Sequence, residues 1–137
     1  MRISVGLIIF LLTACAGSPI RVGHMSDAEL DQTAPGILCN AYHNGHYKNV
    51  RAAIIRRGFV PQGDWALIDA GQIRRGMSEA ELICAWGAPS PLDGKVNTYV
   101  GPNGTEKQWV YRTCISSLGC NASYVYTQNG LITSWQQ

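Results

Sequence analysis

The C-terminal part of the chain limits the fold more than any other stretch. VNTYV (96–100) runs into the turn GPNG, then TEKQWVYRTC (105–114), the loop ISSLG, CNASYVYTQ (120–128), Asn129-Gly130 and LITSWQ (131–136). Asn-Gly between aromatic or β-branched runs is the strongest short-range hairpin signal. Those residue types are concentrated in these runs, as half-buried pleated surfaces favour. Short connections of this kind join antiparallel neighbours, so the expectation is a meander of three or four antiparallel strands. Period two places Trp109 and Tyr111 on one face of the second strand, and Gln108, Val110 and Arg112 on the other.

A sheet of this kind needs helices to cover one face, and the preceding sequence supplies them. In MSEAELICAWGAPSP, Ser78 is an N-cap and Glu81 stands three residues later, which forms a capping box. Leu82 and Trp86 share a face, Gly87 takes the left-handed exit, and Pro89 blocks continuation. Ile37, Leu38, Ala41 and Tyr42 mark a helix that Asn44-Gly45 stops. Val50, Ala53, Ile54 and Arg57 mark another, ending at Gly58, and Asp64 is placed to cap a short unit that Gly71 closes. The fold class is therefore α+β, with short helices packed on one face of a three- to four-stranded antiparallel sheet.

The N-terminus carries an address. Arg2, the short apolar run 3–12 and small residues after it have the layout of a secretory signal. That run falls short of the roughly eighteen apolar residues that a spanning helix needs. Leu12-Thr13-Ala14-Cys15 also resembles the bacterial lipobox, which implies lipidation of Cys15 after cleavage and anchoring on the periplasmic side of the outer membrane. The expected organisation is a signal peptide over 1–14, a lipidated N-terminus and flexible tether over 15–36, a helical region over 37–71 and an α+β domain over 72–137. Removing Arg2 from the eleven basic residues leaves ten against nine acidic ones, so no large field steers the mature chain to nucleic acid.

Four cysteines remain after Cys15. An even count in an oxidising compartment reads as two disulfides. Cys114 and Cys120 flank ISSLG and pair across a hairpin, which leaves Cys39 with Cys84. The competing reading is a metal site at Cys39, His43 and His46; it lacks a local fourth ligand, and neither metal nor cofactor is expected.

Gly76-Met77-Ser78, the helix ending in Gly87-Ala88-Pro89, Trp109 and Tyr111 in one strand, and Tyr124-Val125-Tyr126 before Asn129-Gly130 carry a resemblance. Over residues 73–135, under half of the chain, they resemble the SmpA/OmlA (BamE-like) lipoprotein domain. The resemblance implies two helices on a three-stranded antiparallel sheet, held by lipid to the outer membrane. It also implies an accessory role beside the machinery that inserts β-barrel proteins. The chain departs from that pattern in its four extra cysteines, its helical region over 37–70, and Trp86 at the helix end. The same small fold is similar to the repeated unit of β-lactamase inhibitor proteins, which bind an enzyme.

The functional expectation is a non-enzymatic envelope protein that binds an outer-membrane or other envelope protein. The alternative is an inhibitor or exclusion factor acting on an envelope enzyme or receptor. No nucleophile elbow or phosphate loop is present. Trp109, Tyr111 and Arg112 are the candidate partner anchors, since interface hot spots favour Trp, Tyr and Arg. Arg56-Arg57 and Arg74-Arg75 are candidates for a phospholipid headgroup, because guanidinium forks match phosphate. Solvated helix ends account equally for the first pair.

Overall fold

The structure is a computed structural model and describes residues 18–115 and 119–137; Cys15 lies outside them. Among the described residues, six helices precede four strands. They are α1 (Pro19–Gly23), α2 (Asp27–Gln32), α3 (Pro35–Gly45), α4 (Lys48–Arg57), α5 (Trp65–Asp69), entered by a 3-10 turn Gln62–Asp64, and α6 (Glu79–Trp86). The strands β1 (Lys95–Gly101), β2 (Gly104–Ile115), β3 (Gly119–Gln128) and β4 (Leu131–Gln136) form one antiparallel sheet in the order β1-β2-β3-β4. The α+β class read from the sequence is the one found.

The expected tether is folded from residue 18 onward. Pro19 and Pro35 occupy the first turns of α1 and α3, where their missing N–H is an orphan in any case. Glu29 holds the Ser26 backbone N–H at 2.8 Å and its hydroxyl at 2.7 Å, which fixes the start of α2. Val22 and Leu30 are fully buried, with α1 packed on α3 and α2 on α4. Gly, Pro and Ser here punctuate very short helices. Their stability comes from the apolar side chain that each inserts into the core, since helices of this length are marginal alone.

One hydrophobic core runs from Val22 through Leu38, Ile54 and Leu82 to Val125 and Ile132. The expected boundary near residue 71 thus divides no core. Cys39 on α3 and Cys84 on α6, both buried, are bonded at 2.00 Å and join elements from either side of that boundary. Each fully buried Leu, Ile, Val or Met in this core contributes about 1.5–3 kcal/mol.

Helix α6 starts as its sequence dictates. The Ser78 N–H donates to Glu81 Oε2 at 2.7 Å, and the Glu81 N–H donates to Ser78 Oγ at 3.2 Å. It ends at Gly87, whose φ of 77° and ψ of 177° differ from the expected left-handed turn but are equally closed to other residues. The His43 ring stands 2.7 Å from where a Cβ on Gly87 would lie. Asp64 does not cap α5; its carboxylate is taken by Arg74. The left-handed residue after α3 is His46, with φ 47°, one position beyond the expected stop.

The two sheet edges differ. Along β4, the Gly76 N–H donates to Ile132 O at 2.9 Å, the Ile132 N–H to Met77 O at 2.8 Å, and the Glu79 N–H to Gly130 O at 3.0 Å. The entry to α6 therefore covers the start of that edge, from Gly130 to Ile132. Strand β1 forms the other edge.

Candidate interaction surface

The register sorts side chains between the two faces of the sheet. Val96, Trp109, Val125 and Trp135 align in one row across the four strands, and Thr98, Lys107, Thr127 and Ile132 in the next. Trp109, Val125, Thr127 and Ile132 are buried beneath the helices. Trp109 is only 7% exposed and its indole N–H donates to Thr127 Oγ1 at 3.4 Å. The Thr127 hydroxyl donates to Glu79 Oε1 at 2.7 Å, while Lys107 Nζ reaches Glu79 Oε2 at 2.6 Å. Trp109 is thus a core residue tied to α6, which corrects its expected role as a partner anchor. Tyr111 shares its face. Its ring meets Trp86 edge-on at 5.4 Å, its hydroxyl donates to Gly87 O at 3.1 Å, and burial pushes its ionisation well above the usual phenol range. It too is held by the helix layer. Only Arg112, of the three expected anchors, is exposed and on the opposite face.

No described helix lies over that opposite face, although Val110 on it is only 2% exposed. Asn97, Gln108, Tyr126 and Ser134 form one row and Lys95, Val110, Tyr124 and Gln136 another. Asn97 Nδ2 donates to Gln108 Oε1 at 2.9 Å, and Gln108 Nε2 to the Tyr126 hydroxyl at 3.2 Å, a side-chain ladder across three strands. Beside it lies a shallow cavity of about 380 Å³, lined by Tyr99, Glu106, Gln108, Tyr126, Gln128 and Ser134. Tyr99 is 60% exposed at its rim. Aromatic walls around fixed amides make a surface able to take apolar contacts and orient hydrogen bonds together. Tyr99 and Tyr126 are the functional candidates that the sequence did not single out. The signal was there in the alternation: both tyrosines lie in phase with Gln108 and out of phase with Trp109.

The basic pairs do not form one patch. Arg56 bridges to Asp31 and Asp27 on α2. Arg57 donates to the Leu30 and Thr33 carbonyls and lies over the Phe59 ring. Arg74 grips Asp64 with both ends of its fork, at 2.9 and 2.7 Å. Arg75 is exposed. Three of the four expected headgroup residues therefore engage their guanidinium groups with partners in the same chain, Arg56 and Arg74 at the surface, which corrects that reading.

Two further polar clusters brace the helices. Arg51 sits 4.3 Å over the Trp65 ring and pairs with Asp69 at 3.0 Å, while the Tyr42 hydroxyl joins Asp69 at 2.6 Å. Burial raises the Asp69 carboxyl, but Tyr42 and Arg51 outweigh it and hold the group below its ordinary range. Glu81 is buried beside Asp64 with Oε1 unpartnered; burial first, then the neighbouring Asp64, push its carboxyl upward. Cys39 is consumed by Cys84, so the Cys39, His43 and His46 set offers no thiolate. Among the described residues no three His, Cys, Asp or Glu side chains are grouped to hold a metal.

Comparison with protein-family models, with curated proteins and with solved structures finds no match for this chain.

Proposed function

We propose that this chain is a non-enzymatic docking module of the bacterial cell envelope, held at the outer membrane by lipid on Cys15. Its docking surface is the uncovered sheet face. The observation that carries this reading is the tyrosine-walled cavity at Tyr99 and Tyr126, on the one sheet face that no described helix covers. A tethered protein with such a face acts by concentration: confinement at the membrane raises the effective concentration of a weak binder without new contacts. The resemblance of residues 73–135 to the SmpA/OmlA domain supports a partner among the proteins that assemble or maintain the outer membrane.

The test is site-specific photocrosslinking in intact envelopes, from Tyr99, Tyr126 and, as a buried control, Trp109. Adducts are expected from the first two and not the third. Recovery of β-barrel assembly subunits would define an assembly role. A single different envelope enzyme or receptor, with activity that rises when the lipoprotein is deleted, would define an inhibitor. Silence at both tyrosines would refute the docking surface. Separately, Cys15→Ala is expected to abolish fatty-acid labelling and release the protein from the membrane fraction.

A further inference from the structure

We infer that β1 is a self-pairing edge through which two copies of this chain join their sheets. This does not depend on the function proposed above.

Edge strands are normally blunted by Pro, bulges or several charges. Strand β1 has none of these: its ladder with β2 is regular, and Lys95 at its start is its only charge. Exposed apolar side chains lie along this strand and just before it. Leu92, Val96, Tyr99 and Val100 are 94, 40, 60 and 82% exposed.

The direction of the free backbone groups follows from the hairpin. Only Pro102 and Asn103 separate Gly101 from Gly104, so that pair closes the ladder with mutual hydrogen bonds. Bonded pairs then recur at Tyr99, Asn97 and Lys95. Val96, Thr98 and Val100 therefore point their N–H and C=O groups away from β2, toward the open edge.

These three residues read Val-x-Thr-x-Val, a palindrome about Thr98. A two-fold axis through Thr98 sets Thr98 against Thr98 of the second copy and Val96 against Val100, with about six interchain main-chain bonds. Asn97 meets Tyr99, and Lys95 meets Gly101, so no like charges oppose each other. Moving the axis one residue either way leaves Val100 facing Gly94 or Val96 facing Pro102. The symmetric match selects a second copy of this chain over an unrelated strand, because isologous interfaces require self-complementarity of this kind. Since Tyr99 lies on the rim of the open-face cavity, pairing sets the two cavities side by side on a continuous sheet.

The test uses the mature chain with Thr98→Cys. Opposed residues in a bonded antiparallel pair have Cα atoms about 5.5 Å apart, within disulfide reach. Air oxidation should give a non-reducing dimer whose linkage maps to residue 98, whereas Lys95→Cys, far from its symmetry mate, should give little. Thr98→Pro removes an outward N–H and leaves the β2 ladder intact. It should keep the thermal midpoint of the monomer while weakening self-association in sedimentation at least about tenfold. Equal crosslinking at 95 and 98, no adduct at 98, or self-association unchanged by Thr98→Pro would each overturn the inference. So would an adduct at 98 with a different protein alone.

Discussion

The two disulfides divide the molecule into unlike regions. Cys39–Cys84 closes 45 residues, is buried, and joins α3 to α6 at the centre of the core. Cys114–Cys120 closes six, is exposed, and links two directly opposed residues of one hairpin. Strand β2 pairs with β1 only up to Val110, and β3 with β4 only from Tyr124. Among the described residues, 111–115 and 119–123 thus pair only with each other, forming an arm beyond the four-stranded sheet. The first bridge reinforces structure that packing already holds together. Beyond Tyr111, which packs on Trp86, the second holds a hairpin tip whose residues 112–114 and 119–121 are exposed. Identical chemistry thus does different work according to the loop it closes and the contacts around it.

The largest effect should come from breaking the buried bridge. In the chain-entropy account a loop of this length is worth about 4 kcal/mol, so Cys39→Ala with Cys84→Ala should lower unfolding stability by roughly that amount. Urea denaturation of the double variant would check this, and a loss under about 1 kcal/mol would mean that packing alone fixes α3 on α6. For Cys114→Ala with Cys120→Ala the same account gives about 2 kcal/mol. Here the sharper readout is hydrogen exchange: faster exchange should be confined to the arm, with the protected core unchanged. Mild reductant followed by thiol alkylation should label Cys114 and Cys120 while Cys39 and Cys84 stay inaccessible.

The smallest effect should separate the regions by pH. Glu81, near the buried bridge, has its carboxyl pushed above its ordinary 4.5. A raised acid favours the fold in its neutral form. That contribution is complete below 4.5 and is lost as pH rises through the folded-state value. Glu81→Gln keeps an acceptor for the Ser78 N–H and removes the buried charge. Its thermal midpoint should therefore change less than that of the parent between pH 4 and 7, as calorimetry at stepped pH would reveal. Equal pH dependence in both proteins would place the titrating group elsewhere.

How much of this was readable beforehand depended on whether the deciding force was local. Turns at Gly101–Gly104 and Asn129-Gly130 and the capping box at Ser78 and Glu81 act within a few residues, and each formed as its sequence indicates. The Ser26 and Glu29 capping box that starts α2 was likewise local, whereas α1 and the burial of Leu30 were illegible because Val22 and Leu30 gain their stability from distant partners on α3 and α4. Trp109 and Tyr111 failed as anchors for a different reason. Alternation correctly separates Trp109 from Gln108, but it says nothing about which face the helices choose when both carry aromatics. Adjacent arginines likewise reveal a charge without revealing that Asp31 and Asp64, each from another element, will claim it.

Helix α1 begins at Pro19, four positions after Cys15. Fully extended chain spans about 3.3–3.6 Å per residue, so an acyl group on Cys15 would leave the fold a leash of about 14 Å at most. Such a protein could not probe the depth of the periplasm. It would roll at the bilayer surface like a buoy on a short chain, and any partner would have to come to it at headgroup height.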